Sequence, residues 1–192
     1  LKIKFYKDDF ETKKRRHGAG FKIYDGNTLV RFDEKDSNGC YKVNSNGSVE
    51  EVFTNTNLNN GEICLSHVIS SKEYIIEETT VPAGYTKMQN ATVTATAYDN
   101  TATNISEKAL INYPTKFEFV KSINDDSSNI DSSITSLVDI AKFTITENNS
   151  TKPLTFIDKG NGEYWYDING NISLLHTTNR KFIVKYLPRG NY

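Results

Sequence analysis

The chain contains 192 residues, of which 36% are hydrophobic and 11% aromatic, and its 23 basic side chains nearly balance its 24 acidic ones. This length suits one large or two small domains, and the aromatic content is too high for a chain that stays disordered. A net charge of -1 argues against a general nucleic-acid binder, and no apolar run approaches the length of a membrane span.

Apolar and polar residues alternate with a period of two along almost the whole chain, which predicts β-strands with one solvent-facing side. In chain order the predicted strands lie at 1–6, 21–24, 63–65, 74–78, 109–112, 117–120 and 141–146. Asn-Gly and Asp-Gly pairs, which favour tight turns, separate many of these segments, and no long stretch carries an amphipathic helical stripe. Short strands at this spacing indicate an all-β sandwich or barrel.

The order of these elements repeats loosely in the two halves of the chain. The first half continues into a closing strand, and the second half lacks the corresponding elements. We therefore expect a complete domain at 1–113 and an incomplete second domain at 114–192, divided near Pro114, which interrupts strand pairing. The polar segment 122–136 is expected to form a loop inside the second domain.

The first predicted strand carries a lysine on its hydrophobic face. Alternation places Lys7 on the face of Ile3 and Phe5. A strand that ends at Phe5 would instead leave Lys7 in solvent. The periodicity of the first strand by itself favours this second interpretation, because lysine is seldom buried without a partner. The second half repeats the pattern, since Lys121 follows Phe119 at the same spacing.

Two further polar residues are predicted to face the same interior. Alternation places Glu78 on the face of Ile76, and Asn112 on the face of Leu110. If these strands turn their apolar faces inward, a lysine, a glutamate and an asparagine converge in one apolar core. This convergence favours the inward orientation of Lys7.

Burial would make the three groups reactive toward each other. Desolvation lowers the pKa of a lysine and raises that of a glutamate, so that the lysine becomes a neutral, nucleophilic amine. Attack of Lys7 Nζ on Asn112 Cγ would release ammonia and leave an amide between the side chains, with Glu78 as the proton shuttle. Folding holds the groups together beforehand, and the product replaces a costly buried amine by a neutral amide.

The residues that carry this pattern resemble the Cna protein B-type, or prealbumin-like, domains of Gram-positive surface proteins and pilins. The most specific segment is 74–85, which reads YIIEETTVPAGY, where the family has Tyr-x-apolar-x-Glu-x-x-Ala-Pro-x-Gly-Tyr. Only Val81 departs from that pattern. Glu78, four residues before Pro82, matches the family's catalytic glutamate, and Glu77 is out of register.

The resemblance covers nearly the whole chain and implies tandem immunoglobulin-like β-sandwiches with a self-formed isopeptide bond between Lys7 and Asn112, catalysed by Glu78. It implies an extracellular stalk or pilus module of a cell-wall-anchored protein, whose anchor lies outside this sequence, with neighbouring domains of the same protein as partners. In the second domain only Lys121 matches the pattern. We therefore expect no bond there in the sequence as it stands.

Two other functions are weighed against a structural module. An adhesive module would bind a host matrix protein or glycan through loops such as 122–136, with Trp165 either stacking on a sugar or packed against the protein. A turnover enzyme is disfavoured, because Ser66 and His67 are expected to face opposite ways on a strand and no phosphate-binding loop or nucleophile elbow occurs. Self-crosslinking happens once per molecule and is not turnover.

The remaining reactive side chains predict no metal site and no cofactor. The histidines lack the spacing of metal ligands and lie at His17, His67 and His176. Cys40 and Cys64 can pair only if their strands are neighbours, and two free thiols are the favoured expectation. The basic run 13–16 is expected to be a solvated turn rather than a nucleic-acid patch.

Overall fold

A computed structural model describes residues 1–57, 60–95, 105–122, 142–177 and 180–192. It divides into two compact units, the first comprising Leu1–Pro82 with Thr86–Tyr113 and the second Ala83–Tyr85 with Pro114–Tyr192. Across the described ranges the secondary structure consists of strands, without a helix. The prediction of two domains divided at 113 and 114 stays a prediction. The chain passes from the first unit to the second after Tyr113. The short segment Ala83–Tyr85, although earlier in the chain, also groups with the second unit.

The first unit is a sandwich of two sheets. Its strands are β1 (Lys2–Asp9), β2 (Gly20–Asp25), β3 (Thr28–Leu29), β4 (Cys40–Lys42), β5 (Val52–Phe53), β6 (Glu62–Ser66), β7 (Glu73–Thr80), β8 (Ala91–Thr94) and β9 (Ile105–Asn112). One sheet has the order β4-β6-β1-β9, and the other has the order β3-β2-β7-β8, with β5 also paired to β2. Strand β1 is therefore central, antiparallel to β6 and parallel to the edge strand β9.

The core of the first unit lies between the two sheets and comes from the alternating positions that the sequence predicts. The inward residues of β1, β6 and β9 pack with those of β2, β7 and β8 in one cluster. Phe5 of the first sheet meets Phe21 of the second edge to face, with ring centroids 5.4 Å apart. An all-β sandwich with alternating burial is thus confirmed.

A disulfide bond joins Cys40 of β4 to Cys64 of β6. The two residues lie directly opposite each other in the parallel pairing of these strands, with their Cα atoms 4.5 Å apart. The expectation of two free thiols is therefore wrong. The pairing of β4 with β6 spans 24 residues of sequence, and the sequence pattern did not reveal that these strands are neighbours.

The second unit repeats part of this pairing. Its strands are β10 (Lys116–Val120), β11 (Lys142–Phe143), β12 (Phe156–Gly160), β13 (Glu163–Tyr166), β14 (Leu175–His176) and β15 (Lys181–Lys185). They form the sheet β10-β15-β13-β12 and the pair β11-β14. Strand β10 is antiparallel to β15, as β1 is to β6, and β13 is parallel to β15, as β4 is to β6. The predicted loop at 122–136 lies, beyond Ser122, outside the described residues.

Candidate functional site

Strand β1 carries Lys7 into the interior of the first unit. Every second residue of β1 is buried, and Lys7 is 1% exposed. The interpretation that the strand ends at Phe5 is wrong, because the pairing of β1 with β9 continues to Asp9. The Lys7 amide also donates a hydrogen bond to the Gly61 carbonyl at 2.9 Å, which holds the backbone extended at this position.

Strands β7 and β9 supply the other two predicted groups. Alternation along β7 buries Glu78 completely, at 0% exposure, and leaves Glu77 half-buried on the other face. Alternation along β9 buries Asn112 at 2% exposure. The parallel register aligns Asn112 with Asp9, two residues beyond Lys7, so the lysine and the asparagine lie on the same face of neighbouring strands.

The structure brings the three side chains together around one carboxylate. Lys7 Nζ lies 3.8 Å from Glu78 Oε1. Asn112 Nδ2 donates hydrogen bonds to Glu78 Oε1 at 3.0 Å and Oε2 at 3.2 Å. The amine and the carboxamide therefore both face the oxygen Glu78 Oε1, the amine at ion-pair distance and the carboxamide at hydrogen-bond distance. The chemical roles of these residues stay predictions.

Burial sets the protonation of the lysine. Desolvation lowers the pKa of the Lys7 ammonium from 10.5 to about 8, and the carboxylates of Glu78 and Asp8 act in the opposite direction with a smaller effect. A neutral amine, which is the nucleophilic form, is therefore accessible near neutral pH. Its environment is dry, since the side chains of Lys7 and Glu78 are both almost completely excluded from solvent.

The carboxamide of Asn112 is held by its nitrogen, while its oxygen is left unpaired. Besides Glu78, Asn112 Nδ2 donates to the Thr86 carbonyl at 2.9 Å. Asn112 Oδ1 is buried and has no hydrogen-bond partner among the described residues. A buried carbonyl oxygen without a donor is costly, and it is the atom on which negative charge develops when an amine attacks Cγ.

The segment 86–88, which was not predicted to belong to the site, contacts all three side chains. The Met88 amide donates a hydrogen bond to Glu78 Oε2 at 2.8 Å, and Lys7 Nζ lies 3.5 Å from Met88 Sδ. This segment lies between β7 and β8 in irregular structure. It has no period-two pattern, so no signal in the single sequence pointed to its contacts with the site.

Lys121 of the second unit differs from Lys7. Strand β10 ends at Val120, and Lys121 is half-exposed. Its amide donates to the Arg180 carbonyl at 2.8 Å. Phe117, which alternation places on the same face as Phe119 and Lys121, is 40% exposed. Within the described residues, Lys121 is thus only partly buried, whereas Lys7 is enclosed.

The residues weighed for other functions have local partners. Trp165 Nε1 donates a hydrogen bond to Glu163 Oε2 at 3.0 Å, and Lys159 Nζ lies 4.2 Å from the centroid of the Trp165 ring. The argument that Ser66 and His67 face opposite ways is wrong, because β6 ends at Ser66 and His67, with φ of 59°, turns its Nδ1 to 3.3 Å from Ser66 Oγ. Ser66 is itself buried, and its hydroxyl donates to the Tyr41 carbonyl at 3.4 Å.

The described parts of the chain contain no cluster of three or more histidine, cysteine, aspartate or glutamate side chains that could hold a metal ion. They also contain no helix long and apolar enough to cross a membrane.

Comparisons with known proteins identify relatives of the fold. Similar solved structures are the shaft pilin SpaA from Lactobacillus rhamnosus GG (21% identity, 59% of this chain and 47% of that chain, TM-score 0.46) and the minor pilin GBS52 from Streptococcus agalactiae (19%, 64% and 48%, TM-score 0.49). A third is the pilus 2b backbone protein of group B streptococcus (19%, 59% and 40%, TM-score 0.43). The chain spans about half the length of the first two pilins. No curated protein matches the chain.

One family model matches most of the first unit. The model of the SpaA prealbumin-like fold domain matches residues 1–109, which is more than half of the chain and includes the strands that carry Lys7 and Glu78. Together with the two-sheet architecture, this match shows the family. The chain belongs to the SpaA prealbumin-like fold domain family.

Proposed function

We propose that the chain is a structural spacer of a bacterial surface protein or pilus, made resistant to unfolding by an isopeptide bond that forms spontaneously between Lys7 and Asn112. The observation that carries the proposal is the convergence of Lys7, Glu78 and Asn112, all nearly inaccessible to solvent, around the single oxygen Glu78 Oε1. Membership of a family whose solved relatives include pilins supports the same function.

The reaction balances without a cofactor. The neutral amine of Lys7 attacks Asn112 Cγ, and a C–N bond forms as the carbonyl electrons move to Oδ1. Glu78 accepts a proton from the attacking nitrogen and returns one to Nδ2, which leaves as ammonia. The product is an amide between Lys7 Nζ and Asn112 Cγ, and Glu78 ends in the protonation state in which it began.

The fold supplies the rate. Parallel pairing of β1 with β9 and the packing of β7 across the sandwich hold nucleophile, shuttle and acceptor together before reaction, so the step is intramolecular. The dry interior strengthens the interactions between Glu78 and its two partners. The same interior disfavours a buried ammonium, and the amide product removes it.

The position of the bond determines its mechanical effect. It would join β1, near the start of the first unit, to β9 at its end, and so close a loop of about 105 residues, for which the chain-entropy model gives about 4.7 kcal/mol. Tension applied through the ends of this unit would pass from Lys7 directly to Asn112. The intervening strands would carry none of it, and a reductant would not cleave the bond.

A spacer of this kind belongs outside the cell, on a protein anchored to the wall of a Gram-positive bacterium. Its partners would be the neighbouring domains of the same surface protein. Binding of a host matrix protein or glycan is the alternative function. Trp165 gives that alternative no specific support, since Glu163 and Lys159 already engage its indole.

Single-molecule force spectroscopy tests the proposal. The chain is pulled from its two ends, alone and as the Lys7→Ala variant. Both proteins are pulled in a reductant, because the Cys40–Cys64 disulfide would otherwise withhold the residues that it encloses from extension. We expect no extension from the residues between Lys7 and Asn112 in the unaltered chain, and a step of about 350 Å, from about 105 residues at full extension, in the variant. An equal step in both proteins would contradict the proposal.

A further inference from the structure

Met88 contacts two of the three groups at the site. Among the described residues, its thioether sulfur is the nearest partner of the Lys7 amine, at 3.5 Å, whereas the Glu78 carboxylate lies at 3.8 Å. Its backbone amide donates to Glu78 Oε2 at 2.8 Å. Two residues earlier, the Thr86 carbonyl accepts the hydrogen bond from Asn112 Nδ2. The segment 86–88 thus touches the nucleophile, the shuttle and the acceptor.

The type of atom beside the amine matters for its reactivity. A carbonyl or carboxylate oxygen at this position would be a strong acceptor and would stabilise the ammonium, which cannot attack a carbon. A thioether is only a weak acceptor, so it can orient an N–H without holding the proton on nitrogen. The side chain of Met88 also packs against the hydrophobic core and helps to keep water away from Lys7.

We propose that Met88 is a positioning residue of the crosslinking reaction: its thioether fixes the Lys7 amine beside the reacting carbon without favouring the protonated form, while its backbone fixes Glu78. This inference rests on the proposed self-crosslinking function. It adds a fourth requirement to the three predicted residues, namely a side chain next to the nucleophile that is only a weak hydrogen-bond acceptor.

The chain permits a closely matched test, because Met88 is its only methionine. Biosynthetic incorporation of norleucine therefore replaces the sulfur at position 88 by a methylene and changes nothing else within the described fold. The second variant, Met88→Gln, has a similar length but places a strongly accepting amide oxygen near Lys7. Neither change removes the backbone amide that binds Glu78.

The measurement is the rate of ammonia loss as a function of pH. Unreacted chain, recovered denatured from inclusion bodies, is refolded by dilution at a series of pH values in the same glutathione redox buffer, and its intact mass is followed with time. Circular dichroism verifies that each variant folds. The pH at which the rate is half of its plateau reports the protonation of the amine, and the plateau reports its orientation.

We expect Met88→Gln to raise that midpoint by about one pH unit, which slows the reaction about tenfold below the midpoint. Norleucine should leave the midpoint unchanged and lower the plateau about three- to tenfold, the value of one orienting hydrogen bond. The inference is overturned if the norleucine protein reaches the wild-type plateau, or if a folded Met88→Gln protein has the wild-type midpoint. If Met88→Gln does not fold, the isosteric norleucine protein decides alone.

Failure of the proposed function gives a different result. In that case the unaltered chain folds without losing ammonia at any pH, and no variant can differ from it. Ammonia loss by the unaltered chain with identical kinetics in both variants would leave the crosslink in place and assign Met88 to packing alone.

Discussion

The two units begin with the same sequence pattern, an apolar alternation that leads to a lysine, yet only one of these lysines is buried. Lys7 lies within β1, which continues to Asp9 and is flanked by β6 and β9. Lys121 follows the end of β10, which pairs with β15 and with no other strand in the described residues. Lys7 is 1% exposed, and Lys121 is half-exposed.

The difference teaches that neighbouring strands, rather than a strand's own pattern, decide whether a lysine on its apolar face becomes buried. The edge strand β9 covers one side of β1 and brings Asn112 with it, while β7 brings Glu78 from the opposite sheet. A lysine buried in this way has a lowered pKa and a reaction partner. Lys121, which follows the end of β10, is only partly buried.

The largest effect is expected from Glu78→Gln. This variant keeps the shape of the side chain but cannot shuttle a proton, so the folded chain should release no ammonia. Without the crosslink that closes the loop, its unfolding free energy should be lower by about 4.7 kcal/mol. Denaturant unfolding and intact mass measure the two effects. The matched control is Glu77→Gln, on the other face of β7, which should still crosslink. Crosslinking by Glu78→Gln at the wild-type rate would contradict the role of Glu78.

Removal of the disulfide comes next. The bond between Cys40 and Cys64 also belongs to the first unit alone, and it closes a loop with a sequence separation of 24. The double variant Cys40→Ala and Cys64→Ala should lose about 3.5 kcal/mol of unfolding free energy by the chain-entropy model. Its crosslink should still form, because Cys64 lies opposite Lys4, three residues before Lys7, and neither cysteine is one of the three reacting groups. A variant that folds but no longer loses ammonia would show that the disulfide is needed to assemble the site.

A smaller effect, a pH dependence of the unfolding free energy, should appear only when Lys7 stays a free amine. In Asn112→Leu no crosslink can form, and we expect Lys7 to keep the lowered pKa, about 8 against 10.5 for the ordinary side chain, that burial gives it in the unaltered fold. Between these values the unfolded state binds more protons, so unfolding free energy should rise as the pH increases from about 8 to about 10.5. Denaturant titrations at several pH values measure it. The same variant with Lys7→Met is the control, and an identical rise there would exclude Lys7 as the cause.

The smallest effect is expected at the other lysine. Lys121→Met should change unfolding free energy by no more than about 0.5 kcal/mol, because half-exposed surface positions contribute little. It should leave the ammonia loss of the first unit unchanged. Loss of the crosslink in this variant would mean that Lys121, and not Lys7, is the nucleophile, and would overturn the comparison between the two units.

Period-two alternation predicted much of the first unit from the sequence. It placed Lys7, Glu78 and Asn112 on buried faces, because each continues the inward series of its own strand. It could not predict where β1 ends, since Asp8 and Asp9 are polar and their inclusion depends on pairing with β9. A strand's length is set here by a partner more than a hundred residues away in the chain.

Other features escaped prediction because they depend on contacts without a local pattern. The disulfide requires that β4 and β6 be adjacent, which is a property of the sheet order. The contacts of Met88 arise in an irregular segment, where alternation does not apply. Ser66 and His67 do not follow the predicted alternation, because β6 ends at Ser66 and His67 has a left-handed backbone conformation.

The most direct test of the crosslink is the intact mass of the folded, purified chain. It is measured after reduction, because the disulfide itself removes two hydrogens. The account predicts a mass lower than that of the sequence by one molecule of ammonia, and a tandem mass spectrum in which the peptide containing Lys7 is joined to the peptide containing Asn112. A mass equal to that of the unmodified sequence would contradict it.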